Sequence, residues 1–177
     1  MGKLKLQMGG ENFAADDEVI DFCLENLGNV GSIVLGRTTA EGFIPHWAKV
    51  AREPIDPADP DSRLGKPLTD IPKIVFSREL TTSKWDNATI VNGDLEKEIQ
   101  ALKNNDSKDM IVYGGYSFVS SLIQHGLVDE FYFLVNPETI VNGEPLFKSL
   151  NSNLALRFEQ CRPFKCGTLL LRYRKKD

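Results

Sequence analysis

Two apolar spacings alternate along the chain. Residues 16–27 (DDEVIDFCLENL) set Val19, Phe22, Cys23 and Leu27 at helical intervals behind Asp16, a good helix N-cap. They predict an amphipathic helix that Gly28 and Gly31 break. Ile33, Val34 and Leu35 form a short run that is apolar at every position, the pattern of a strand covered on both faces. Gly36 ends it at a sharp turn, and a second helix is expected over residues 38–50. Pro54, Pro57, Pro60, Pro67 and Pro72 then predict an irregular loop of about twenty residues, and loops of that length are often functional. Strand-like runs return at 73–77 (KIVFS), 88–91 (ATIV), 110–113 (MIVY) and 130–135 (EFYFLV). Between them, Asp94 caps a helix with Leu95, Ile99 and Leu102 on one face, and residues 117–125 (SFVSSLIQH) form a helix closed by Gly126. Residues 154–158 and 168–173, joined by a turn near 165–167, predict an antiparallel pair at the sheet edge. The order predicts an α/β fold: one domain, a mixed sheet with helices on both faces and a C-terminal hairpin.

Composition narrows the function classes. A chain of 177 residues with 41% hydrophobic content can build one core without disulfide or metal staples. Its 21 Lys and Arg against 25 Asp and Glu give a net charge of -4, which disfavours DNA, RNA and anionic membranes as partners and leaves a small molecule. Cys23, Cys161 and Cys166 are an odd set without the partners of a zinc site, and read as reduced thiols of a cytoplasmic protein. His46 and His125 are the only histidines, so a metal-free site is favoured. The opening MGKLKLQMGG lacks the apolar core of a secretory leader, and no apolar run approaches about 18 residues, so neither export nor membrane spanning is expected.

Candidate chemistry sits where strands run into helices. In IVYGGYSFVSSL, Gly114 and Gly115 leave backbone N–H groups at a positive helix end with no Cβ in the way, a geometry able to hold a diphosphate. In IVLGRTT, Gly36 and Arg37 precede the Thr38 and Thr39 hydroxyls at a helix start, and in FSRE, Ser77 with Arg78 can hold a phosphomonoester. Singly, each has a plainer reading: a tight left-handed turn, an N-cap threonine beside a surface arginine, a solvated turn. Together they describe ligand binding outside the carboxyl ends of the strands of an α/β sheet. The ligand would be extended and anionic, such as a dinucleotide, and Arg37 with Arg78 point to a phosphate beyond the diphosphate, as in NADP. Asp129 and Glu130, adjacent at a strand start, read as a turn cap and an edge or subunit contact rather than an acid–base pair. His125, in the last turn of its helix, reads as structural, while His46 and Trp47 flank the Pro-rich loop and could line a substrate side. Phe131, Tyr132 and Phe133 could support a homodimer, because one face of their strand needs a cover.

Four segments, GRTTAEGF, KIVFSREL, IVYGGYSFVSSLIQHGLVDEFYFLVNPETIVNGEPLF and CGTLLLRY, give the chain a family resemblance over nearly its whole length. It resembles the dihydrofolate reductase-like superfamily, specifically the reductase domain of bifunctional riboflavin-biosynthesis deaminase-reductase proteins. The resemblance implies an NADPH-binding fold, commonly dimeric. By matching motif, Gly36, Arg37 and Thr38 would lie along the cofactor phosphates, and Ser77 and Arg78 near the adenosine-side phosphate. Gly114, Gly115, Tyr116, Ser117 and Phe118 would surround the diphosphate and nicotinamide side. Where such proteins show a motif like SLDGFIA, whose Asp lies in the substrate pocket, this chain reads GGENFAA, so Glu11 takes the Asp position with a longer side chain. The expected activity is reduction of a small pterin-like or ribosylaminopyrimidine-like heterocycle, with Glu11 orienting it. The alternative is a nucleotide-binding homo-oligomeric module of the same fold without turnover.

Overall fold

The computed structural model describes residues 1–9, 15–53, 61–105, 107–143, 145–148 and 150–176. Among them the elements run β1 (Leu4–Met8), α1 (Asp17–Leu27), β2 (Val30–Gly36), α2 (Arg37–Arg52), α3 (Ser62–Asp70), β3 (Lys73–Phe76), β4 (Ala88–Val91), α4 (Leu95–Asn105), β5 (Asp109–Val112), α5 (Tyr116–Gln124), β6 (Glu130–Val135), β7 (Leu156–Pro163) and β8 (Leu169–Lys175). They form one eight-stranded sheet in the order β4-β3-β2-β5-β1-β6-β8-β7. Strands β1 to β6 are parallel, and β8 and β7 close the edge as an antiparallel pair. The mixed sheet and its terminal hairpin are therefore as the sequence predicts.

The apolar strand runs bury both faces. Ile33 and Leu35 pack with α1, α2 and α3, whereas Val34 packs with α4 and α5 on the opposite face. The caps predicted at two helix starts are present: Asp16 Oδ1 accepts from the Val19 N–H at 3.0 Å, and Asp94 Oδ1 from that of Lys97 at 3.1 Å. Asp16 also accepts from the Cys166 N–H at 2.9 Å and so ties the β7–β8 turn to α1. No helix among the described residues is long and apolar enough to cross a membrane.

Two elements depart from the sequence pattern. The irregular loop expected between Pro54 and Pro72 contains α3, with Pro67 inside it. Leu64 and Leu68, four residues apart, are both buried, and a Cβ on Gly65 would lie 2.7 Å from Val50 Cγ1, so α3 is seated against α2. That apolar contact outweighs the cost of an interior proline. The other is β1, central in the sheet although Lys5 and Gln7 interrupt its apolar residues. Both are buried and both find partners far along the chain. Lys5 Nζ lies 2.9 Å from Asp109 Oδ2, and Gln7 accepts from Asn26 Nδ2 at 2.8 Å and donates to Cys23 Sγ at 3.3 Å.

Asp129 and Glu130 tie these strands together. Asp129 Oδ2 accepts from the Leu4 N–H at 2.7 Å and meets Lys103 Nζ at 2.6 Å. Glu130, fully buried, receives Lys3 at 2.8 Å and Arg174 at 3.4 Å on one oxygen, and Tyr132 at 2.6 Å and Arg172 at 3.0 Å on the other. It is a tie within the chain rather than a subunit contact. Burial pushes its carboxyl up, but the Lys3 and Tyr132 hydrogen bonds and the charges of Arg172 and Lys3 overcome this and hold it at about 2, against an ordinary 4.5. The stability it contributes is complete above the unfolded value and is lost as pH falls from 4.5 toward about 2. Glu130→Gln is expected to cost about 3 kcal/mol at neutral pH, the lower end for removing one partner of a buried ion pair, because its cations are half-exposed. Urea unfolding across this acid range should show a shallower loss in the variant; an identical acid limb in both proteins would contradict the assignment.

Candidate functional site

The parallel register levels the strand ends. Gly36 lies opposite Phe76, which lies opposite Val91, while Val34 lies opposite Val112. Two residues beyond Val112, Gly114 is therefore level with Gly36. Gly36 is the N-cap of α2 and Gly115 that of α5, and neither helix start has a side-chain cap. Their first-turn N–H groups have no intrahelical acceptor, so two positive helix ends, from helices on opposite faces, meet at the carboxyl end of the strands.

Glycine is needed at these turns for different reasons. Gly114 has φ +146° with open space around a Cβ, so only its backbone conformation demands glycine. Gly115 has φ +81°, and a Cβ there would stand 2.4 Å from Thr39 Oγ1 of α2. Gly36 is conformationally ordinary, yet a Cβ would meet Phe118 Cβ at 3.0 Å. The first turns of α2 and α5 are thus packed together across missing methyl groups.

Around this junction lies a cavity of about 350 Å³ lined by Gly36, Arg37, Thr38, Gly115, Tyr116, Ser117 and Phe118. A second, of about 500 Å³, is lined by Ser77, Arg78, Asn92, Gly93, Asp94, Glu96 and His125. Phe76 and Phe118 line both, with ring centroids 5.5 Å apart. The three strand ends singled out from sequence are therefore brought together in two adjoining cavities. Gly114, next to Gly115 in the chain, lines neither cavity, and Glu11 lies outside the described residues.

The polar groups are differently committed. Ser77 Oγ accepts the N–H groups of Glu79 at 3.1 Å and Leu80 at 2.9 Å, leaving its hydroxyl hydrogen to donate. Asn92 Nδ2 reaches the carbonyls of Ser77 at 2.7 Å and Leu80 at 2.6 Å, and so pins that turn from the end of β4. Arg37 is held by Glu41 at 3.1 Å and Glu79 at 3.5 Å. Arg78 is exposed and, among the described residues, forms no ion pair. His125 pairs through Nδ1 with Glu96 across the mouth of the second cavity. Sequence reasoning treated His125 as structural and did not place Asn92, Gly93 or Glu96 in a site. The strand-end rule applied to ATIV points to Asn92 and Gly93; the His125–Glu96 pair joins two helices and leaves no local signal.

On the α1 side of Gly114, Tyr113 stacks on Phe43 at 5.8 Å, and Phe43 meets Trp47 at 6.1 Å, while His46 is exposed. Burial pushes the Tyr113 phenol well up and the Cys23 thiol up to about 11, so this wall is neutral and its thiol inert. The acidic residues of α1 are occupied elsewhere. Asp17 and Asp21 face Arg63, Glu18 faces Lys165, Glu25 faces Arg162, and Asp16 is the helix cap.

The family model for the RibD C-terminal domain matches residues 15–170. The chain belongs to the RibD C-terminal domain family. A relative similar over most of its length is the uncharacterised protein YyaP of Bacillus subtilis, 30% identical over 163 residues, which are 87% of this chain and 83% of that protein. The fold is shared with a solved diaminohydroxyphosphoribosylaminopyrimidine deaminase/5-amino-6-(5-phosphoribosylamino)uracil reductase of Thermotoga maritima, at TM-score 0.67 and 13% identity over 99% of this chain and 57% of that one. It is shared too with dihydrofolate reductase of Enterococcus faecalis, solved with NADP(H), at TM-score 0.62 and 16% identity over 99% and 98% of the two chains. The dihydrofolate reductase-like architecture expected from the motifs is thus the observed one.

The two glycines of this RibD-family turn should not be equivalent. Gly115→Ala meets both backbone strain and Thr39, and is expected to cost about 2 to 3 kcal/mol. Gly114→Ala meets strain alone and should cost about 1 to 2 kcal/mol. Urea unfolding of both variants checks the order; equal losses would remove the Thr39 contact as a constraint.

Proposed function

We propose that this chain is an NADPH-dependent reductase of a small heterocycle, pterin-like or ribosylaminopyrimidine-like. The observation that carries the reading is the pair of adjoining cavities over the ends of β2, β3, β4 and β5. One holds two uncapped helix starts and the other holds Arg78. The cradle closed by Gly36 and Gly115 suits a diphosphate, since backbone N–H groups can approach it without a Cβ between. Thr38 and Ser117 add hydroxyl donors there, and Tyr116 and Phe118 complete the wall toward the nicotinamide side. The free hydroxyl hydrogen of Ser77 and the guanidinium of Arg78 fit the further phosphate that separates NADPH from NADH. Bound NADPH would supply the hydride. The neutral aromatic wall of Phe43, Tyr113 and Trp47 is suited to a flat heterocycle beside it. With the carboxylates of α1 committed to Arg63, Lys165, Arg162 and the cap, Glu11 is the candidate for orienting the substrate.

Titration with NADPH and NADH, followed by nicotinamide fluorescence, tests the binding step. NADPH should bind more tightly, and Arg78→Gln should weaken NADPH about tenfold or more while changing NADH little. Binding of neither would sink the reading. Oxidation assays with pterins and ribosylaminopyrimidines test the chemical step, where Glu11→Gln should lower kcat more than it raises the NADPH Kd. Tight NADPH binding with no turnover would favour the silent nucleotide-binding module instead.

The same reading puts the protein in the cytoplasm, where the thiols of Cys23, Cys161 and Cys166 stay reduced. It also includes a homodimer, through a face that keeps only Phe133 of the three residues first suggested by sequence. Phe131 and Tyr132 are buried within the chain. On one face of β6, β8 and β7, however, cross-strand partners bring together Phe133, Leu171 and Cys161, and Val135, Leu169 and Pro163. Phe158, opposite Tyr173, is 56% exposed, Val135 43% and Leu169 38%. The other face of these strands carries Glu130, Arg172, Arg174 and Arg162. An uncharged face is self-complementary under a twofold axis. Sedimentation should show a dimer that Phe158→Ser dissociates; a monomeric parent chain would contradict it.

A further inference from the structure

Among the described residues Arg37 is the only cationic side chain lining the smaller cavity, and two carboxylates already hold it. They differ in kind. Glu41 lies one turn along the same helix, so its pairing with Arg37 is a local feature of α2. Glu79 comes from the turn after β3, and its own backbone N–H is bound by Ser77, a wall residue of the larger cavity. Its side chain, from the turn that follows two residues lining the larger cavity, reaches the cation of the smaller one.

An extended ligand filling both cavities would bring its phosphates to the Arg37 end of this ion pair. Its phosphates would meet a guanidinium already in contact with Glu79 Oε2 at 3.5 Å. The Glu79 carboxylate would then stand as a like charge close to the incoming anion. The side chain is 73% exposed, so no packing holds it in place and water can take over its solvation when it leaves.

Resting on the NADPH reading, we propose that Glu79 is a specificity-determining residue that competes with ligand phosphate for Arg37. It penalises each added negative charge on the ligand, and so narrows the preference for NADPH over NADH that Arg78 creates. The exchange at Arg37 concerns the diphosphate that both dinucleotides carry, while the charge of Glu79, next to Arg78 in the chain, also repels the additional phosphate that only NADPH brings. Because the competition is between exposed charges, it weakens as salt shortens the screening length.

Titrations of the full chain with NADPH and NADH, for the parent, Glu79→Gln and Glu41→Gln, test this. Glu79→Gln should tighten both dinucleotides at low salt, NADH about twofold to threefold and NADPH more, about threefold to tenfold, with its thermal midpoint unchanged. The gain should largely vanish near 0.5 M salt, where the screening length is about 4 Å. Glu41→Gln should give the smaller change. An unchanged or weakened NADPH affinity in Glu79→Gln, or an equal gain in Glu41→Gln, would overturn the assignment while leaving the NADPH reading standing. Failure of the parent chain to bind either dinucleotide would overturn both.

Discussion

How closely the first turns of α2 and α5 can approach each other governs the rest of the cleft. Two absent methyl groups set that distance: at Gly115, where a Cβ would meet Thr39, and at Gly36, where it would meet Phe118. Bringing two helix N-termini this near would leave clustered N–H dipoles pointing the same way. Nothing but water or an anionic ligand can satisfy them, since neither start has a side-chain cap. On the NADPH reading, the cleft's affinity for negative charge would be a consequence of this packing, before any arginine is considered.

The sheet makes this approach possible. Parallel strands with both faces covered place their carboxyl ends in one row, and the neighbours β4, β3, β2 and β5 bring four such ends side by side. The row is held from the far side by ties to β1. Lys5 pairs with Asp109 at the start of β5, while Glu130 collects Lys3, Arg172 and Arg174. Those buried charges lie on strands and ends remote from the cavities, so stability and ligand chemistry are largely separated in this fold.

The parts of the site that could be read from the chain are those built by consecutive residues. Gly36 with Thr38, Ser77 with Arg78, and Gly114 with Gly115 each announce themselves as a strand running into small or polar residues, and all three converge. What escaped the reading depends on partners distant in sequence. The central position of β1 was hidden because Lys5 and Gln7 look solvated until Asp109, Asn26 and Cys23 are placed against them. The helix α3 was hidden by Pro67, whose local cost is visible whereas the fit of Leu64 and Leu68 against α2 is not. The commitment of Arg37 to Glu79 is likewise a long-range pairing, and it alters what that arginine is available to do.

The central claim is that the adjoining cavities at the ends of β2, β3 and β5 form one binding site for an extended anionic nucleotide. Backbone amide NMR of the isotope-labelled chain during titration with NADPH tests it most directly. The account predicts saturable shifts, with one common Kd, at Gly36, Thr38, Ser77, Arg78, Gly115, Tyr116 and Ser117, and none along β7 and β8. Shifts confined to β7, β8 or α3, or different Kd values at the two cavities, would contradict it.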